Sequence, residues 1–193
     1  MNIANKLTVF RMLLIPVFLV LMLGNFSWGA IKLATGSLPV SQLLAGLIFI
    51  GASFTDYLDG YLARKHNLVT AFGEFFDPMA DKLLVIAALI VIVEKGWAPS
   101  WVVIIIVSRE LLVTGLRVLL ARANGKVMVA AMPGKIKTVT QMLAIICYLF
   151  NDFGLRLFGY SPANILLYIC LFFTIYSGID YFYQGHFVFD GPK

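Results

Sequence analysis

Four aspartates, Asp56, Asp59, Asp77 and Asp81, stand within 26 positions of a chain that is otherwise rich in apolar residues. At about 100° per residue, Asp56, Asp59, Gly60 and Ala63 return to one face of a helix, and Gly73, Asp77 and Asp81 do the same at steps of four. An aspartate at the centre of a membrane helix costs about 2.5–3.5 kcal/mol, so several of them need compensation. Two acidic helical faces joined by a turn containing Lys65, His66 and Asn67 could close into a cage of oxygens. Such a cage suits hard divalent ions, Mg²⁺ or Mn²⁺, and four carboxylates suit two ions better than one. Gly60 and Ala63 keep the face free of bulk, which leaves room for a substrate between the acidic groups and the forked, permanently charged Arg64.

A second basic group, Arg109, Arg117, Lys135 and Lys137 with Glu110 as an internal partner, lies further along the chain. Lys135 and Lys137 follow Pro133-Gly134 and open a predicted helix, where the macrodipole disfavours cations and favours a phosphate. Their placement suits an anion that carries phosphate. The plainer readings are that Arg109 and Arg117 snorkel from a helix end and that the lysines obey the positive-inside rule. For the aspartates, the plain reading is a set of helix caps and ion pairs.

The elements that must hold these groups follow from composition. The chain has 193 residues, 61% hydrophobic and 13% charged, with mean hydropathy +0.91, against about 45–50% apolar and about 25% charged in soluble domains. An all-α integral membrane protein is expected, and disordered or disulfide-scaffold chains are excluded. Cys147 and Cys170 lie inside apolar runs as inert thiols. About 20 apolar residues cross a bilayer, and six runs are predicted to do so: Leu7 to Gly24, Val40 to Leu62, Phe76 to Val93, Ser100 to Ala121, Ile136 to Phe150 and Ala163 to Tyr183. The short connections leave room for one domain, residues 1–193, without an internal repeat.

Of the 15 Lys and Arg residues, 11 fall at the termini and even-numbered connections and three, Lys32, Lys95 and Arg156, at the odd-numbered ones. The positive-inside rule then puts both termini and the acidic stretch in the cytoplasm, with Trp28, Trp97 and Trp101 at the opposite interface. The net charge of +5 reflects topology and anionic lipid; nucleic acid is not an expected partner.

The stretch Asp56-Tyr-Leu-Asp59-Gly60-Tyr-Leu-Ala63-Arg64, then eight residues, then Gly73-Glu-Phe-Phe-Asp77-Pro-Met-Ala-Asp81 resembles the motif of the CDP-alcohol phosphotransferase family at all eight specified positions. Three shorter stretches, Asn5 to Arg11, Ser108 to Glu110 and Gly134 to Thr138, resemble the branch of that family that makes phosphatidylglycerophosphate in bacteria. The resemblance implies a six-helix bundle in the bacterial plasma membrane, active toward the cytoplasm and homodimeric. It implies attack by an alcohol on the β-phosphorus of CDP-diacylglycerol with release of CMP. Asp56, Asp59 and Asp77 are then metal ligands; Asp81, nearest the acceptor, is a fourth ligand and the general base. Asn5, Thr8, Asp59, Gly60, Ala63, Arg64 and Gly73 would contact CDP-diacylglycerol. For that reaction the second basic group points to an acceptor that already carries phosphate, sn-glycerol 3-phosphate; serine or inositol phosphate stand as other acceptors. A cation transporter is the rival class, since a carboxylate cluster in a membrane can mark an ion route. It would need polar groups continuing toward the other face, and the first and last spans carry almost none.

Overall fold

The structure is a computed structural model that describes residues 3–34, 36–66, 71–124, 132–156 and 159–185; within its helices, 3–8, 56–66, 71–81, 117–124 and 184–185 are described by backbone alone. Each apolar run folds as a helix. They are α1 (Ile3–Leu23), α2 (Val40–His66), α3 (Ala71–Glu94), α4 (Ser100–Asn124), α5 (Met132–Leu149) and α6 (Pro162–Gly185). The helices α2 and α3 reach further toward each other than the apolar runs do. Lys65 and His66 close α2 instead of lying in a turn, and Asn67 falls outside the described residues.

Two features depart from the expected all-helical chain. A short antiparallel hairpin, β1 (Ala30–Leu33) with β2 (Gly36–Pro39), pairs Ala30 with Pro39 and Leu33 with Gly36 between α1 and α2. A single turn, Asn151–Gly154, separates α5 from α6 and holds Asn151, Asp152 and Phe153 at φ 50°, 55° and 54°. Asn and Asp tolerate this left-handed region better than most residues.

Side chains from every helix share one core, which includes Phe18 and Met22, Ala45, Phe49 and Ala52, Leu84 and Ile92, Val102 and Ile106, Ala144 and Ile145, and Leu167 and Cys170. Small residues let the backbones approach, as in membrane bundles. At Gly46 an added Cβ would come within 2.8 Å of the Phe150 ring. Helix α1 packs on α2 and α3, α6 on α4 and α5, and α5 also touches α2 and α3. Large apolar side chains also cover the outside, among them Leu13, Val20, Ile90, Ile104, Leu112, Phe172 and Ile179. A water-soluble bundle would place polar residues there. Among the described side chains, Pro162–Tyr183 forms a helix long and apolar enough to cross a membrane, with shorter apolar stretches at Val9–Leu23 and Val40–Thr55. Composition and outer surface together mark a membrane protein.

The two ends of the bundle differ in content. A cavity of about 420 Å³ lined by Met22, Asn25, Pro39, Gln42, Lys95 and Trp97 joins the α1–α2 and α3–α4 connections. Trp97 also lines a cavity of about 180 Å³ with Asn151, Asp152, Arg156 and Asn164. The three odd-numbered connections therefore share one end, and the acidic stretch lies at the other.

Candidate active site

The acidic motif lies at that second end, on the end of one helix and the start of the next. Asp56, Asp59, Gly60, Ala63 and Arg64 occupy the last three turns of α2, and Gly73, Asp77 and Asp81 the first three of α3. The two helices touch, and α1, whose first turns carry Asn5 and Thr8, packs against both. An unbroken helix through each segment preserves the spacing on which the shared acidic faces depend. The side chains of these ten residues, and of Arg117 on α4, lie outside the described set.

Next to Asp81, Lys82 begins a described cavity of about 600 Å³ between α3, α4 and α5. Its wall includes Arg109, Glu110 and Thr114 from α4, and Gly134, Lys135, Thr138 and Gln141 from α5; Val85, Ile86, Val107 and Met142 supply apolar lining. Helix α5 starts at Met132, so Pro133 lies in its first turn, where a missing N–H costs nothing, and Gly134 and Lys135 follow beside the cavity. Positive side chains and a helix N-terminus around one concave space suit an anion.

The charged groups around the cavity are tied into a network. Lys82 Nζ donates to Thr114 Oγ1, and Thr114 Oγ1 in turn donates to the Glu110 carbonyl at 2.7 Å. Lys137, 1% exposed, forms an ion pair with the Glu110 carboxylate. Arg109 Nη2 donates to Ser177 Oγ at 2.7 Å, and the guanidinium lies over the Tyr181 ring, 5.6 Å from its centroid. Gly178 makes room for that arrangement, because a Cβ there would sit 3.3 Å from Arg109 Cγ.

The three described cations of the group expected to hold a phosphate, Arg109, Lys135 and Lys137, are not placed alike. Arg109 and Lys135 line the cavity, Lys135 exposed and Arg109 anchored to α6. Lys137 faces inward to Glu110. Lys135 and Lys137 are two residues apart, about 200° around the helix, so they cannot face the same way. A buried ammonium also requires a partner. The pairing of Glu110 within the basic group agrees with expectation. Lys82, Thr114, Gln141, Ser177 and Tyr181 were not singled out as site residues. For Gln141 a signal was present: it is an amide inside an apolar helix, one turn beyond Lys137.

The profile of the CDP-alcohol phosphatidyltransferase family matches residues 1–176. The CDP-diacylglycerol–glycerol-3-phosphate 3-phosphatidyltransferase of Bacillus subtilis is 49% identical over 181 residues, covering 94% of this chain and 93% of its own. Proteins of the same name from Rickettsia typhi and Haemophilus influenzae are 38% and 40% identical, covering 94% and 93% of this chain and 95% and 91% of their own. With the motif intact on two touching helices and the likeness running through almost the whole length, the chain belongs to the CDP-alcohol phosphatidyltransferase family.

Proposed function

We propose that this enzyme transfers the phosphatidyl group of CDP-diacylglycerol to sn-glycerol 3-phosphate, giving phosphatidylglycerophosphate and CMP in phospholipid biosynthesis. The observation that carries the choice of acceptor is the cavity beside Lys82, whose wall combines Arg109, Lys135 and the start of α5. An acceptor with its own phosphate matches those charges; serine brings no phosphate to them. The names of the relatives support the same substrates.

Asp56, Asp59, Asp77 and Asp81 are the residues that would hold Mg²⁺ or Mn²⁺. The fit rests on donor chemistry: carboxylates alone, on two helices that touch, form the oxygen-only set that hard ions take. Two ions bound there would neutralise diphosphate oxygens and make the acceptor hydroxyl more acidic. Arg64 would grip the diphosphate, with Gly60, Ala63, Gly73, Asn5 and Thr8 around the nucleotide. Asp81 takes the proton from the acceptor hydroxyl as its oxygen bonds to the β-phosphorus. The bond from that phosphorus to the CMP oxygen breaks, and CMP leaves as a phosphate anion that needs no strong acid. The six helices would span the bacterial plasma membrane with this end toward the cytoplasm, in a homodimer.

Purified protein given CDP-diacylglycerol with glycerol 3-phosphate, serine or inositol phosphate in parallel tests the reading. CMP release with glycerol 3-phosphate well above the others is expected; release with another acceptor alone would overturn the assignment. Protein that moves divalent cations across vesicles and releases no CMP would belong to the transporter class.

A further inference from the structure

Most polar groups around the 600 Å³ cavity already have partners within the chain. Lys82 reaches Thr114, Lys137 reaches Glu110, and Thr138 Oγ1 donates to the Gly134 carbonyl at 3.0 Å. Gln141 is different. It lines the same cavity, is 3% exposed, and its Nε2 has no hydrogen-bond partner among the described residues. Buried amide groups are nearly always satisfied, so an orphaned donor beside open space calls for an explanation. It stands on the inward stripe of α5 that runs Lys137, Gln141, Ala144, Tyr148, about two turns along from Gly134 in the first turn of that helix. The same stripe shows that the helix is not tolerating a polar residue at a lipid face.

The chemistry of the donor selects its partner. The Nε2 group has two N–H bonds and no charge, so it complements a neutral oxygen better than a phosphate, which the cations and the α5 N-terminus serve. A glycerol phosphate has one oxygen of that kind left over. Its phosphate belongs with the positive wall, one terminal hydroxyl reacts, and the secondary hydroxyl remains. We infer that Gln141 Nε2 donates a hydrogen bond to the secondary hydroxyl of the acceptor, which makes Gln141 a specificity-determining residue for the transfer. This inference rests on the acceptor assignment above.

The test compares two acceptors, sn-glycerol 3-phosphate and propane-1,3-diol monophosphate, which keeps the phosphate and the reacting hydroxyl but lacks the middle one. The wild-type protein is expected to favour glycerol 3-phosphate by about 10- to 100-fold in kcat/KM, because the analogue leaves the buried amide unpaired. Gln141→Met, unbranched and of similar length, is expected to lose that preference, while the KM for CDP-diacylglycerol stays unchanged. Gln141→Glu, the same shape with an acceptor in place of the donor, is expected to lose it too, which covers the case in which the Met variant fails to fold. A preference that survives either folded substitution would overturn the inference and leave the acceptor assignment standing. A wild-type protein that transfers to neither acceptor would overturn both.

Discussion

The two ends of the bundle handle buried polar groups in opposite ways. At the end with the hairpin, polar groups close on helix termini: Gln42 Nε2 donates to the Leu149 carbonyl at 3.0 Å at the end of α5. Asp152 Oδ1 accepts the Ala163 N–H at 2.8 Å, and Ser161 Oγ accepts the Asn164 N–H at 3.3 Å, at the start of α6. Tyr148 donates to Asn164 across the same junction. These bonds replace the water that exposed helix ends would otherwise use. At the acidic end the 600 Å³ cavity has, besides its internal pairs, the exposed Lys135 and a Gln141 amide nitrogen without a hydrogen-bond partner among the described residues. Polar groups at the hairpin end hold helix termini together, and the cavity at the acidic end is the one proposed to meet substrate.

Substitutions at the two ends should therefore separate turnover from stability. The largest effect is expected for Asp81→Asn, which removes the carboxylate proposed as the base and should lower kcat by about 10²–10⁴-fold while CDP-diacylglycerol binding persists. Asp56→Asn should weaken metal retention as well, read as the divalent-ion concentration needed for half-maximal rate. Lys135→Ala should raise the KM for glycerol 3-phosphate about 10-fold, the scale of one charge-assisted hydrogen bond, and shift that for CDP-diacylglycerol far less. Equal shifts would remove Lys135 from the acceptor site. At the other end, Asp152→Ala should cost about 1–2 kcal/mol of stability through loss of the α6 cap, with kcat per folded molecule retained. Gln42→Leu, which frees the last carbonyls of α5, should cost about 1 kcal/mol and leave both KM values alone. A cap variant that lost turnover while fully folded would erase the distinction between the ends.

Much of this organisation is legible in the residues themselves. Val40 and Ser100 begin their helices where the apolar runs begin, because Pro39 and Pro99 precede them and stop the pattern. The motif is readable because helical period and side-chain type both repeat there: Asp56, Asp59, Gly60 and Ala63 on one helix, Gly73, Asp77 and Asp81 on the next. The hairpin Ala30–Pro39 is not legible in the sequence because its strands are only four residues each and lack a clear alternation of apolar and polar residues. The tie from Arg109 to Ser177 and Tyr181 depends on α4 packing against α6, a tertiary fact separated by 68 positions in the chain. The divergence of Lys135 from Lys137 was readable from their spacing of two, yet their shared place at a helix start suggested a common target. Burial decides between those readings: Lys137 is enclosed with Glu110, and Lys135 is exposed beside the cavity.

The proposed dependence of the transfer on divalent ions at the acidic stretch is tested most directly by following CMP release from CDP-diacylglycerol and glycerol 3-phosphate through one cycle of chelation. Release should stop when EDTA strips the purified protein and return when Mg²⁺ is restored. Release that continues unchanged in EDTA would contradict the assignment of Asp56, Asp59, Asp77 and Asp81 as a metal site.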